Sequence, residues 1–135
     1  MSIAFPSLDF FNRLKQGMAD DPSSAEGVPD SDAYCGVVID ENLFMLEFDG
    51  RQCSAVAQGG NLLDLDFALA APADTWRDLL QSIQSDGDQR LETLLDAGRL
   101  EIQGENDDGP ELARAALPMI QAFLEQARGL DLEFS

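Results

Sequence analysis

A chain of 135 residues has the length of one domain, spanning residues 1–135, and a 44 % hydrophobic share suits a globular protein with a real core. Its 26 acidic and 8 basic residues leave a net charge of −18, which repels duplexes and anionic bilayers and excludes nucleic acid as the expected partner. There is no histidine, so Ser-His-Asp and Cys-His catalysis and imidazole metal ligation fall away, and two cysteines are too few for a disulfide framework or a cysteine zinc site.

The opening stretch, "MSIAFPSLDFF", has no basic region followed by an apolar one and does not read as a secretory signal. No apolar run approaches the ~20 residues of a membrane span, so the expected location is cytoplasmic. Over residues 7–18, Leu8, Phe11, Leu14 or Lys15, and Met18 fall at helical spacing, with Ser7 as N-cap after Pro6. Residues 19–33 hold two prolines, a glycine and little apolar mass; they read as a long polar loop.

Strand patterns follow at 34–39 ("YCGVVI") and 43–48 ("LFMLEF"). Asp49-Gly50 then gives the strongest hairpin signal in the chain, because a type I′ turn needs positive φ at both central positions. The chain returns through 51–58 and enters the clearest strand, 62–70, "LLDLDFALA". There Leu63, Leu65, Phe67 and Leu69 share one face, and Asp64 and Asp66 the other. In "ADTWRDLLQSI", Trp76, Leu79, Leu80 and Ile83 fall at i, i+3, i+4 and i+7 and form one helix face.

A short helix with Leu91, Leu94 and Leu95 comes next, and Gly98 suits the left-handed position beyond its end. Residues 99–103 alternate between Gly98 and Gly104, with Leu100 and Ile102 inward, which reads as a half-buried strand. A strand so placed must add to an edge of the existing sheet and extend its apolar face. Pro110 fits the first turn of a last helix, whose stripe is Leu112, Ala116, Met119, Ile120, Phe123 and Ala127. Pro118 lies in that stripe and should kink or split the helix near Leu117. The last helix should cross the apolar face of the sheet as a lid.

The acidic turns at 86–88 and 105–109 lack the residue spacing of a calcium loop and read as solvated turns. With 26 acids, paired carboxylates arise by chance and carry no weight as catalysts. A two-residue Asp49-Gly50 turn would set Phe48 opposite Arg51 and Leu46 opposite Cys53, placing Cys53 inward with Phe44, Leu46 and Phe48. A three-residue connection at 40–42 would set Cys35 opposite Glu47 and point it outward; a slip of one residue reverses this. Neither thiol has a histidine or basic cluster beside it to make a reactive thiolate.

The run from Leu62 to Arg128 resembles the sterol-carrier-protein, or nonspecific lipid-transfer, domain family. The resemblance rests on the strand and corner "FALAAPADTWRDLL", on the glycine-bracketed strand from Ala97 to Glu105, and on the last helix "ELARAALPMIQAFLEQA". It implies a sheet curved over helices around an apolar tunnel that takes sterols, fatty acids or acyl-CoA, with no shared catalytic residues. By matching, Phe67, Leu69, Trp76, Leu80, Leu100, Ile102, Met119 and Phe123 would line or border the cavity. Arg77 and Arg99 are the candidates to meet a ligand carboxylate at its mouth. The strongly acidic charge departs from what suits a carrier that loads at anionic membranes.

The expected fold is therefore α+β: an antiparallel or mixed five-stranded sheet with helices packed on one face, sterol-carrier-protein-like. The expected function is a non-enzymatic binding module for a lipid or other hydrophobic small molecule, needing no cofactor and no metal. The alternative is an acidic protein–protein interaction module. It would use its surface charge for a basic partner, or the exposed edge strand 34–39 to form a homodimer.

Overall fold

In sequence order the chain forms β1 (Ile3–Phe5), α1 (Leu8–Asp20), β2 (Ala33–Ile39), β3 (Asn42–Asp49), β4 (Gln52–Gln58) and β5 (Phe67–Ala71). Then come α2 (Ala73–Gln84), α3 (Leu91–Asp96), β6 (Glu101–Gln103), α4 (Gly109–Leu124), a 3-10 turn over Glu125–Gly129, and β7 (Leu132–Phe134). The structure, a computed structural model, describes residues 3–20, 32–49, 52–60, 65–85, 87–104 and 107–134. Of the polar loop expected at 19–33, residues 21–31 lie outside these.

The main sheet has the order β4-β3-β2-β5-β6. All its pairs are antiparallel except β2 with β5, which run parallel, so the mixed form of the expected sheet is the one adopted. The residues 34–39 are thus not an edge strand. β2 lies at the centre because β5 pairs along its second side; its core face is fully buried, while on the far face Gly36 is covered and Tyr34 and Val38 keep some exposure. β5 is buried along its whole length.

Register differs from expectation at both hairpins. Ile39 pairs with Asn42, so Asp40 and Glu41 alone make the turn, with Asp40 at φ 56°. That slip sets Cys35 opposite Leu46 and turns it inward. At the next hairpin Asp49 pairs with Gln52 and Phe48 with Cys53; Gly50 and Arg51 lie outside the described residues. Cys53 stays inward, as expected, but faces Phe48 and not Leu46. A β-bulge then intervenes, because Glu47 pairs with Ala55 and leaves Ser54 as the extra residue. The bulge resets the alternation, so Val56 packs on the core while Ala55 and Ala57 turn to the other face.

The strand expected at 62–70 begins later, at Phe67. Phe67 and Leu69 do share the core face. Leu65 does not: it lies against Gly36 on the opposite face, where an added Cβ would come within 2.9 Å of its Cδ1. Leu63 lies outside the described residues.

The helices cover one side of the sheet. Phe10, Phe11, Leu14 and Met18 form the buried stripe of α1, and Trp76, Leu79, Leu80 and Ile83 that of α2. The Phe10 N–H donates to Ser7 Oγ at 3.1 Å, so Ser7 caps α1 as its sequence position suggests. The alternating strand after Gly98 adds to the free side of β5, with Ile102 opposite Leu69, and Leu100 enters the core.

The last helix returns across β5 and β6. It starts with Pro110 in its first turn and runs unbroken through Pro118, which sits on the exposed side, so the expected split does not occur. The Pro118 ring thus faces away from the sheet, and the core-facing stripe continues past it through Met119, Ile120 and Phe123. One pairing has no counterpart in the sequence patterns: β1 and β7 form a separate two-stranded parallel sheet.

Candidate functional site

The eight residues marked out by the sequence meet in one layer. Phe67 and Leu69 on β5, Leu100 ahead of β6 and Ile102 on β6 supply the sheet side; Trp76 and Leu80 on α2 and Met119 and Phe123 on α4 supply the helix side. Seven are buried, and half-buried Ile102 packs against the same cluster. The layer is apolar: Thr75 is the one buried polar residue among those described. Trp76 crosses it and donates its indole N–H to the Val38 carbonyl at 3.0 Å, which fixes α2 over the centre of the sheet. Sheet and last helix touch directly where the rings of Phe48 and Phe123 meet edge to face, 5.5 Å between centroids.

The described concavities lie around this layer, and none of the four is lined by any of the eight residues. A cleft of about 290 Å³ opens between α3 and α4, walled by Leu91, Leu117 and Pro118 with Arg90 and Arg114 on its rim. Leu91 and Leu117 are also members of the core cluster, so the apolar layer reaches the surface here. Gln121 Oε1 accepts the Leu91 N–H at 3.0 Å and ties the start of α3 to α4. Sequence reasoning did not single out this cleft. Its one signal was a proline inside an amphipathic helix. The other three concavities lie on the far face and margins of the sheet.

The arginines expected to meet a ligand carboxylate are otherwise engaged. Arg77 pairs with Asp74 at 2.9 Å and Arg99 with Asp78 at 2.8 Å, so both charges answer carboxylates of α2 itself. On the α3–α4 rim, the carboxylates paired with Arg90 and Arg114 among the described residues are distant, Glu125 at 3.9 Å and Asp96 at 4.0 Å.

No protein-family model and no curated protein matches this sequence. Solved structures do match its shape. A crystal structure of sterol carrier protein 2 superposes with a TM-score of 0.68 over 92 % of this chain and 97 % of that one, at 13 % identity. The solution structure of a conserved hypothetical protein from Thermus thermophilus gives a TM-score of 0.56 over 93 % and 86 %, at 14 % identity. The chain has the sterol carrier protein 2 fold. The likeness spans nearly its whole length.

Within this sterol-carrier-type sheet both thiols point into the core. Cys35 on β2 and Cys53 on β4 are separated by β3, so they do not form a disulfide. Burial pushes the Cys35 thiol far up from its usual range, helped by the charge that Cys53 and Asp66 would place beside a thiolate. Burial likewise raises Cys53 to about 11, against the opposing pull of backbone hydrogen bonding from Ala55 and of the Lys15 charge. Both are protonated near neutral pH and act as small apolar side chains.

Proposed function

We propose that the chain is a non-enzymatic binding module for an apolar or amphipathic ligand of the lipid, sterol or fatty-acyl class, taken up between the sheet and the helices. The observation that carries this reading is the match over nearly the full chain to sterol carrier protein 2, joined to an apolar sheet–helix layer that reaches solvent between α3 and α4. Phe67, Leu69, Leu100 and Ile102 would line one wall and Trp76, Leu80, Met119 and Phe123 the other. Because Phe48 and Phe123 touch, uptake requires α4 to lift from the sheet, starting at the Leu91–Leu117 cleft. The free energy is sufficient: at about 0.8 kcal/mol per methylene, a twelve-carbon chain gains about 10 kcal/mol gross. Translational and ordering costs remove several of these and leave roughly micromolar affinity.

Trp76 is the single tryptophan, and it lies in the layer. A polyene fatty acid bound there would accept its excitation. Titration of delipidated protein with such a probe should quench Trp76 and raise probe emission to saturation, and native mass spectrometry of freshly purified protein should show a co-purifying lipid. A clean apo mass together with no energy transfer would end this reading.

A further inference from the structure

The face of the sheet turned away from the helices has its own chemistry on β2, β3 and β4. The register there places Tyr34 beside Glu47, Glu47 beside Ala55, and Met45 beside Ala57. The bulge at Ser54 is what brings both alanines to this side. Tyr34 is among the few exposed large apolar side chains, at 36 %, and its hydroxyl lies 3.7 Å from Met45 Sδ. The small alanines floor a shallow concavity of about 40 Å³, a larger one of about 340 Å³ lies beside it, and Tyr34 and Glu47 border both. Ala33 and Phe48, from the edge of the core, and Asp32, Asp49 and Asp66 complete the wall of the larger one.

Charge on this face is not balanced as it is elsewhere. On the helical side Arg77, Arg90, Arg99 and Arg114 each have a carboxylate within 4.0 Å. Among the described residues no basic side chain lines either concavity. Glu47 is held by the Ser54 hydroxyl at 3.1 Å, and Asp66 accepts the Tyr34 N–H at 3.1 Å, both neutral donors. Among the described residues Glu47, Asp49 and Asp66 form no ion pair. An apolar platform with carboxylates at its centre and margin is complementary to a surface of cations alternating with apolar side chains.

We propose that this face docks a basic amphipathic segment of another protein. An apolar anchor rests beside Tyr34 over Met45, Ala55 and Ala57, and lysine or arginine side chains meet Glu47 and the Asp49–Asp66 wall. The net charge of −18 steers such a partner inward from a distance. The anchor distinguishes it from a free polycation, and the negative potential disfavours an anionic membrane on the same face. The platform of Tyr34, Met45, Ala55 and Ala57 lies across the sheet from the eight-residue layer, so ligand uptake and docking can succeed or fail separately.

The test uses the full chain and three probes: a synthetic helix with leucine on one face and lysine on the other, its glutamate counterpart, and polylysine. Amide chemical shifts should move at Tyr34, Met45, Glu47, Ala55 and Ala57 with the lysine helix alone. Glu47→Lys and Ala55→Lys should each weaken its binding about tenfold or more, while Asp88→Lys, an equal charge change at another exposed site, should alter it by less than about twofold. Circular dichroism shows whether each variant folds, and Tyr34→Ser, which removes the apolar surface beside the anchor without changing charge, should weaken binding of the lysine helix severalfold while leaving polylysine unaffected. No binding by the lysine helix, equal losses for Glu47→Lys and Asp88→Lys, equal binding of polylysine, or shift changes elsewhere would each overturn the proposal.

Discussion

Ser7 shows how one oxygen sets the start of an element. Its hydroxyl oxygen accepts the Phe10 N–H while the hydroxyl donates to the Ala4 carbonyl at 2.6 Å, joining the end of β1 to the start of α1. Ser7→Ala should cost about 1 kcal/mol in urea denaturation, and a change near zero would show that solvent replaces the cap. The thiols make a second residue-scale prediction. Their folded pKa values lie above the ordinary 9.0, with Cys53 at about 11. From pH 9 upward the unfolded chain loses thiol protons that the folded chain keeps, so the stability fully present below that pH declines as pH rises. Urea midpoints should fall between about pH 9 and pH 11, and the Cys35→Ala, Cys53→Ala double variant should fall less steeply. Equal slopes would contradict this origin, as would rapid reaction of native thiols with Ellman's reagent at neutral pH.

At the scale of the element, the strand between Gly98 and Gly104 depends on its two ends. Gly98 has φ +76°, its N–H reaches the Leu95 carbonyl, and the Arg99 N–H reaches that of Leu94, which together form a Schellman closure of α3. Gly104 has φ +142°, a conformation that side chains rarely adopt. Gly104→Ala should therefore destabilise by about 1–3 kcal/mol and Gly98→Ala by about 1 kcal/mol. If both variants melted like the parent, the brackets would not position β6. This element and α2 were legible because period and punctuation coincide in them: alternation between glycines in one, and Trp76, Leu79, Leu80 and Ile83 on one stripe in the other. The central place of β2 was not legible, although "GVV" interrupts its alternation, because a parallel neighbour about thirty residues away decides it. The facing of Cys35 turned on whether Asn42 belongs to the turn or the strand, a one-residue matter that composition does not resolve. The eight layer residues were legible as core. The α3–α4 cleft was not, since a surface hollow depends on which neighbouring helices fail to fill the same space.

For the whole molecule, charge works against compaction. The arginine ion pairs are exposed and each contributes about 0–1 kcal/mol, too little to offset the repulsion of so large an acid excess. Raising salt from roughly 0.01 M to roughly 0.15 M shortens the screening length from about 30 Å to about 8 Å. The melting temperature should rise across that range by calorimetry, and a flat or falling series would show that the carboxylates are spaced widely enough not to matter.

The small parallel pair of β1 and β7 sets Ile3 against Leu132 and Phe5 against Phe134. These partners are about as distant along the chain as two residues here can be, and closing so large a loop costs the most entropy for three short rungs. The clasp should accordingly zip up last during refolding and open first under native conditions. Its amides would exchange with deuterium well before those of β2, making this corner the place where unfolding begins.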